Sequence, residues 1–455
     1  MRNMGSPVRA GAPPHPSGAN HYFGATVRNV RGGGWLIVLA TLLWLYIYQN
    51  LPDNLQGMAA GGGVAEANVS NRLVKIAQLG MSLFLIASRW SLVRSLAKQI
   101  NPGAAAFLVL ALLSALWSIE PAATLLRFTS LASIALVSFA ISLAGWHRQR
   151  LQQVGLPPLM LILLISLGMG LIYPDKMMEV GTDLSQNGAW HGITRSKNEF
   201  GMMASISVIM CANRWLGWEG RPYWAIPGTV VAFVCLVLSR SNTSLFATLV
   251  ALFFMVLVMR VPVIRQRFST HVAAAIAGTI LLYELAIQDV VPGVYTLLTP
   301  IRSLTGKDTT LSGRTIIWQV IKDHIHFAPY LGTGYGAYWL GPTPNSPSYV
   351  FVPLMFFYPT EAHNGYLDVV NDLGLVGLAC VLAFIFFYIR QALELMRTDR
   401  SQAALYLALL FQQMVMNMSE SEWFSRGSTF SILLLATACL CRAAHEARLH
   451  AQSVW

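Results

Sequence analysis

The sequence predicts an all-α integral membrane protein with about twelve transmembrane helices and one long, partly helical loop between spans 9 and 10. Three observations lead to this fold class. The 455 residues are 55% hydrophobic and only 11% charged, with a mean hydropathy of +0.53, whereas soluble domains usually have about 25% charged residues. Apolar segments of near-membrane length recur along most of the chain. Basic residues concentrate in alternate connections between these segments.

The chain begins with residues 1–34, which are rich in Gly, Pro, Ser and Arg and have no apolar periodicity. This composition predicts a disordered tail. A cleavable signal peptide is not expected, because the charged leader is too long. The predicted spans then follow at 35–50, 72–88, 103–118, 124–145, 157–173, 199–213, 223–238, 242–260, 271–289, 364–389, 402–418 and 427–442.

The basic residues determine the orientation. With the first tail inside and the spans alternating, nineteen of the 31 Lys and Arg residues lie on the inside. Because basic residues are retained on the cytoplasmic side, both termini are predicted to be cytoplasmic. The positive-inside distribution of the basic residues therefore explains the net charge of +11, and nucleic-acid binding is not predicted. The predicted organisation is a tail at 1–34, spans 1–9 at 35–289, an outside loop at 290–363, spans 10–12 at 364–442 and a tail at 443–455.

The sequence contains no motif that is typical of a metal site or of a nucleotide-binding site. The five cysteines fall in or beside apolar segments, where packing is expected and disulfides or metal ligands are not. His324 and His326 lack cysteine or carboxylate partners at metal-ligand spacing. No Walker-type glycine-rich motif is present. We therefore predict no metal and no cofactor.

The loop at 290–363 is roughly 74 residues long, and loops of this length within compact proteins are usually functional. Its many aromatic residues argue against a disordered tether. Residues 312–327 are expected to form an amphipathic helix with Ser312 as N-cap. The apolar face of this helix is predicted to consist of Ile316, Ile317, Val320, Ile321 and His324.

Four basic residues are predicted at loop-to-helix junctions on the outside, against the positive-inside bias: Arg314, Arg195, Lys197 and Arg240. A helix N-terminus favours anions, and the guanidinium of Arg314 adds a bidentate fork for phosphate oxygens. Solvated loop charges or contacts with outer-leaflet lipids are the ordinary alternative. Together the four cations suggest a site for a polyanion at the interface, such as a lipid-linked pyrophosphate.

His363 is the evident candidate for a general base, because its ordinary pKa near 6.5 lets it accept a proton at neutral pH. The alternative is a histidine at a helix end that is hydrogen-bonded to Glu361 or Asp368. On the helix that follows, a polar stripe is predicted to face the bundle interior or a water-filled cavity. This stripe consists of Asn364, Asp368, Asn371 and Asp372. Gly374 and Gly377 are expected to permit close helix packing.

These residues carry a resemblance to the O-antigen ligase and polymerase family over about residues 180–430. The family signature is similar to residues 363–367 (HNGYL) followed by 373–377 (LGLVG). Its exopolysaccharide-polymerase branch resembles this chain at Gly313-Arg314, Trp318 and residues 334–339. Lys197-Asn198 followed by Gly201, and residues 239–245, also match the pattern.

The resemblance implies a bacterial inner-membrane glycosyltransferase of the metal-independent, multispanning class. Such enzymes take a glycan from undecaprenyl pyrophosphate on the periplasmic face. A ligase passes the glycan to the lipid A core, and a polymerase passes the growing chain to the next lipid-linked repeat unit. His363 then corresponds to the family's base or acceptor-positioning histidine, and Arg314 to a loop arginine that binds the donor pyrophosphate. One position departs from the pattern: a basic residue is usual at Asn242, and Arg240 is the candidate substitute.

The primary hypothesis is a polysaccharide polymerase in which His363 deprotonates the acceptor and Arg314 stabilises the leaving pyrophosphate. Arg195, Lys197 or Arg240 would assist Arg314, and the supporting polar residues are Asn364, Asp368, Glu361 and Asn242. The alternatives are a ligase with the same chemistry and, less favoured, a transporter or flippase, whose usual paired repeats are not found here. The expected partners are the lipid-linked donor, the glycan or lipid A core acceptor, membrane lipids, and a chain-length regulator or export complex.

Overall fold

A computed structural model provides the structure of the protein. It describes residues 33–49, 69–179, 187–217, 222–288, 314–355, 358–425 and 427–453. The predicted tail at 1–34 lies outside these residues, except for its last two. Ser312, the predicted N-cap of the loop helix, also lies outside them.

The described residues form helices and connecting turns, with no strand among them and a single isolated bridge between Met178 and Trp190. The all-helical prediction is therefore confirmed. The helices are α1 (Gly33–Gln49), α2 (Val69–Ser88), α3 (Trp90–Leu96), α4 (Pro102–Leu113), α5 (Pro121–Leu143), α6 (Arg150–Ile172), α7 (Pro174–Met177), α8 (Lys197–Leu216), α9 (Ala225–Leu238), α10 (Asn242–Arg260), α11 (Ser269–Ile287), α12 (Arg314–Ile325), α13 (Gly365–Leu395), α14 (Arg400–Met416) and α15 (Ser428–Ser453).

Each of the twelve predicted spans coincides with one of these helices. Among the described residues, six helical segments are long and apolar enough to cross a membrane, or seven if the bent pair Leu73–Ser88 and Trp90–Gln99 counts as one span. This supports a multi-pass membrane protein, and the number of twelve spans stays a prediction. The predicted boundaries differ most at α6, which begins seven residues early at Arg150, and at α15, which continues to Ser453.

Two helices, α8 and α14, form the centre of the bundle. In α14 every residue from Gln402 to Met416 is buried, and in α8 the same holds from Phe200 to Asn213. They pack against each other and against α10. A helix that is shielded from lipid on all sides can include polar residues at low cost, because neighbouring helices satisfy them. This explains why both helices are more polar than a lipid-facing span.

Helix α13 is interrupted at Gly374, where φ is +64° and ψ is −165°. The backbone of residues 329–331 inserts at this break. Leu375 N donates to Pro329 O at 2.9 Å, and Val376 N donates to Tyr330 O at 3.1 Å. The sequence predicted close helix packing at Gly374, and this is wrong, because the segment that approaches the glycine belongs to the long loop and not to a helix.

The described part of the long loop packs onto α13 through its own apolar cluster. Ile317, Trp318 and Ile321 of α12 are buried together with Tyr338, Trp339 and Phe351. The amphipathic helix predicted at 312–327 is therefore present over Arg314–Ile325. Ile316 was expected on its buried face but is 47% exposed, because the apolar face is centred on Ile317 and Ile321.

Candidate functional site

Four charged side chains meet where α12, α13 and the α14–α15 turn converge. His363 Nδ1 lies 3.2 Å from Glu361 Oε1 and 3.6 Å from Glu420 Oε2. Arg314 Nη2 lies 3.6 Å from Glu420 Oε1. We call Arg314, Glu361, His363 and Glu420 the charge cluster. The two principal predicted site residues, His363 and Arg314, are therefore brought together, and they share one carboxylate.

Glu420 is the centre of the cluster, and sequence reasoning missed it. Its side chain is only 10% exposed, and its Oε1 also accepts a hydrogen bond from Asn198 Nδ2 at 2.6 Å. Asn198 follows Lys197 at the start of α8, so Glu420 connects three predicted sequence motifs. The available signal was the pair of glutamates in the short turn at 418–423, between two apolar segments.

The sequence His363-Asn364-Gly365 has a local physical explanation. His363 adopts a φ of +51°, which is uncommon for a residue other than glycine and frequent at functional sites. Asn364 caps α13 by accepting from Leu367 N at 2.9 Å. A Cβ on Gly365 would overlap Asn417 Oδ1, so only glycine lets α13 start against the end of α14.

The cap residue Asn364 has a second buried partner that the sequence did not reveal. Its Nδ2 donates to Glu284 Oε1 on α11 at 2.7 Å, and Gln288 Nε2 donates to the same oxygen at 3.2 Å. Glu284 is 5% exposed. Asn364 thus belongs to a buried polar network, and its supporting role in the site stays a prediction.

The other members of the predicted polar stripe hold the long loop in place. Asp368 accepts from Trp339 Nε1 at 2.8 Å and from Ala362 N at 2.9 Å. Asp372 accepts from Gly336 N at 2.7 Å, and Asn371 Oδ1 lies 2.8 Å from His324 Nδ1. These three residues therefore face the long loop, whereas the sequence predicted that they face the bundle interior or a water-filled cavity. Asp368 does not contact His363 in the described ion pairs and hydrogen bonds.

Trp318 fixes the position of Arg314 relative to His363. Its Nε1 donates to Ala362 O at 2.9 Å, and the residue is 6% exposed. Arg314 lies one helical turn before Trp318, and His363 directly follows Ala362. A single buried hydrogen bond thereby couples the helix that carries the arginine to the turn that carries the histidine.

Arg195 and Lys197 lie at the start of α8, beside the Asn198 contact. Ser196 caps this helix by accepting from Glu199 N at 3.2 Å, and Glu199 Oε2 accepts from Arg195 N at 3.0 Å. Lys197 N donates to Glu179 Oε1 at 2.8 Å. The structure thus brings this predicted motif to the same end of the bundle as the charge cluster.

Arg240 is exposed and lies at a left-handed position, with a φ of +51°. Its Nη1 donates to Asn187 O at 2.8 Å, so it holds the loop that precedes α8. Asn242 is the exposed first residue of α10. The described ion pairs and hydrogen bonds connect neither residue directly to the charge cluster.

The electrostatics of the cluster change the expected state of His363. Burial alone would lower the pKa of His363, but the adjacent carboxylates of Glu361 and Glu420 raise it to about 10. Burial alone would likewise raise the pKa of Glu420, but the adjacent His363 and Arg314 cations lower it. Burial raises the pKa of Glu361. The adjacent carboxylates therefore favour the imidazolium form of His363 at neutral pH. The role of His363 as a neutral base, which the sequence predicted, stays a prediction.

The protonation state of His363 can be measured by NMR titration of labelled histidines, with His363→Gln used for assignment. We expect a midpoint near 10, which shifts towards 6.5 in Glu361→Gln and Glu420→Gln. Because the folded-state pKa exceeds the unfolded value, the stabilisation from this charge is fully present below pH 6.5 and is lost as the pH rises through about 10. A midpoint near 6.5 in the unmodified protein would contradict this interpretation.

Glu361, His363 and Glu420 also offer ligand atoms within 4.8 Å of one another, the spacing of a metal site. A histidine must be neutral to ligate a metal. The raised pKa of His363 and the nearby Arg314 guanidinium favour an ion-pair cluster instead. The absence of a metal requirement stays a prediction, which a chelator added to the transfer assay would test.

The fold and the site together define a helical membrane protein with a cationic and acidic cluster at one end of its bundle. Residues 227–382, which include Arg314 and His363, match the family described as O-antigen ligase. The chain is also 26% identical over 329 residues to the "Exopolysaccharide production protein ExoQ" of Rhizobium meliloti (strain 1021), covering 67% of this chain and 69% of that protein. The resemblance to the O-antigen ligase family, with its exopolysaccharide branch, is therefore confirmed. Both comparisons support glycan transfer of the ligase or polymerase type.

Proposed function

We propose that the protein is a polysaccharide polymerase of the bacterial inner membrane. It transfers a glycan from undecaprenyl pyrophosphate to a lipid-linked repeat unit at the periplasmic face. The observation that carries the proposal is the shared contact of Arg314 and His363 with Glu420. It supports one site at which a cation for the donor and a group for the acceptor act together.

In the proposed reaction, the acceptor hydroxyl attacks the anomeric carbon of the donor sugar, and the bond to the pyrophosphate oxygen breaks. Negative charge then builds on the leaving undecaprenyl pyrophosphate. Arg314 is half-buried in α12, where its guanidinium favours that charge. Arg195, Lys197 and Arg240 are proposed to bind the more distant phosphate oxygens.

The acceptor proton needs a base, and the carboxylates beside His363 favour its protonated form, which cannot accept a proton. We assign the proton to Glu361, whose side chain is 30% exposed and whose pKa is raised by burial. His363 then positions the acceptor oxygen and stabilises the Glu361 carboxylate before the transfer. Glu420, with its lowered pKa, remains the counter-ion of both His363 and Arg314.

The proposed topology keeps twelve spans and cytoplasmic termini, with 35–289 and 364–442 in the membrane, the loop at 290–363 periplasmic and 443–455 cytoplasmic. The charge cluster supports it, because α8, α12, α13 and the α14–α15 turn contribute to it from one end of the bundle. Proposed partners are the lipid-linked substrates, membrane lipids and a chain-length regulator or export complex.

A ligase that passes the glycan to the lipid A core is the second candidate, and the description of the matching family favours it. The name of the relative, which refers to exopolysaccharide production, favours the polymerase. Purified protein supplied with lipid-linked repeat units and lipid A core distinguishes the two by product. Longer lipid-linked chains support the polymerase, and glycosylated lipid A core supports the ligase. Transport of the lipid-linked unit without any new glycosidic bond would contradict both.

Arg314→Gln is expected to reduce the transfer rate by about 10²-fold or more, because the charge that stabilises the leaving group is lost. Arg314→Lys keeps the charge but not the bidentate fork, and we expect it to recover only part of the rate. The measurement is the initial rate of chain extension at saturating donor. A rate in Arg314→Gln equal to that of the unmodified protein would exclude a donor role for this residue.

A further inference from the structure

The opposite end of the bundle holds a second charged site. Helix α8 begins at Lys197 beside the charge cluster and ends at Leu216, and its 20 residues extend about 30 Å. At this far end lies a cavity of about 180 Å³. It is lined by the turn before α6, the ends of α8 and α10, the segment at 264–268 and the start of α14. The glycan-transfer site does not include any of these residues.

The lining of the cavity is strongly basic. It includes Arg148, Arg214, Arg265 and Arg400, and none of the described residues that line it is acidic. Arg148 is neutralised by Asp399, with Nη2 at 2.7 Å from Oδ1. The other three arginines have no carboxylate within ion-pair distance in the described part of the chain.

Three other arginines at this end are paired: Arg390 and Arg448 contact Glu394, and Arg442 contacts Glu446. Arg267 and Arg397 also lack a carboxylate within ion-pair distance among the described residues, but they are exposed and do not line the cavity. The cavity is therefore distinguished by gathering three such arginines around one concave site. Like charges held around one concave site repel each other, so an anionic occupant would lower the free energy of the arrangement.

Neutral groups complete an anion site. Helix α14 begins at Arg400, and Asp399 caps it by accepting from Gln402 N at 3.1 Å; the start of a helix carries positive partial charge. Arg400 Nη1 donates to Arg265 O, which ties α14 to the 264–268 segment. Gln402 is 3% exposed, and its Oε1 has no hydrogen-bond partner in the described residues, so it can accept from a ligand hydroxyl.

We propose that this cavity binds the phosphate group of an anionic ligand through Arg214, Arg265 and Arg400. Guanidinium groups bind phosphate oxygens bidentately, and three of them supply the charge that a phosphate monoester or a diphosphate requires. The phosphate can belong to an anionic lipid headgroup or to a soluble phosphate compound. The proposal does not depend on the glycan-transfer reaction.

The test compares two double variants of the full-length protein. Arg265→Gln/Arg400→Gln removes the charges of two arginines that line the cavity. Arg267→Gln/Arg397→Gln removes the charges of two exposed arginines that are nearby in the sequence but do not line the cavity. Binding of inorganic pyrophosphate is measured by calorimetry in phosphatidylcholine nanodiscs. Melting temperatures are then compared between phosphatidylcholine and phosphatidylglycerol nanodiscs. Arg265→Gln alone leaves the Arg400 hydrogen bond to the backbone intact and serves as the variant least disruptive to folding.

If the ligand is soluble, pyrophosphate binding should be at least tenfold weaker in the lining variants and unchanged in the matched control. If the ligand is a lipid headgroup, phosphatidylglycerol should raise the melting temperature of the unmodified protein and the control, but not that of the lining variants. Pyrophosphate that binds at Arg314 belongs to a second site, and its binding should stay unchanged in both double variants. Equal behaviour of the lining and control variants in both measurements would overturn the proposal.

Discussion

Replacing His363 with glutamine is expected to lower the rate of glycan transfer by about 10²-fold or more, with expression and folding retained. The imidazolium is the only cation between Glu361 and Glu420 in the described contacts, apart from Arg314 on the far side of Glu420. Without it, two carboxylates face each other, and Glu361 loses the group that keeps it ionised and oriented. The measurement is the initial rate of chain extension by protein reconstituted in lipid.

The control for this substitution is His326→Gln, since His326 is an exposed histidine beyond the end of α12. His363→Lys separates charge from imidazole chemistry. If His363 acts as a cation that positions the acceptor, lysine should restore part of the activity; if it must itself accept a proton as a neutral base, lysine should restore none. Full activity in His363→Gln would remove the residue from the mechanism.

Replacing Gly374 with alanine is expected to be the most destabilising of the substitutions considered, by about 2 to 4 kcal/mol. The combination of φ +64° and ψ −165° is essentially confined to glycine. A Cβ would also overlap Tyr330 C and Leu331 N, which are backbone atoms that cannot move aside at low cost. The loop segment would have to leave the break in α13, and the hydrogen bonds of Leu375 N and Val376 N would be lost.

Thermal unfolding in detergent measures this effect, and Gly278→Ala is the matched control. Gly278 lies within α11, and no heavy atom of a neighbouring group lies within 4 Å of the point that an added Cβ would occupy. Alanine there should be neutral or stabilising by up to about 1 kcal/mol. Equal melting temperatures for the two variants would show that the break at Gly374 is not required.

Much of the helical architecture was predictable, because apolar length and charge bias are properties of consecutive residues. All twelve predicted apolar segments coincide with helices. The predicted helices were wrong where contacts with other parts of the protein, and not with lipid, determine the backbone. In α13, hydropathy alone could not reveal a break whose freed backbone groups are satisfied by residues 329–330.

The candidate site was partly predictable. Arg314 and His363 were recognisable because each lies at a junction between polar and apolar sequence. Glu420 was not, because its importance depends on three contacts with residues far away in the sequence, at 198, 314 and 363. Asp368 was recognised as polar and costly to bury, but its partners Trp339 and Ala362 assign it to holding the loop.

The sequence by itself determined the all-helical membrane class, the family resemblance and the two residues around which the site is built. These follow from local properties: hydropathy, charge and short motifs at fixed spacing. Only the tertiary structure showed that two carboxylates flank His363 and favour its cationic form, and that Glu420 joins it to Arg314. It also showed that three arginines without carboxylate partners among the described residues line a cavity at the other end of the bundle. Protonation states and ion pairs depend on distances between residues that are remote in sequence, and one-dimensional patterns do not contain those distances.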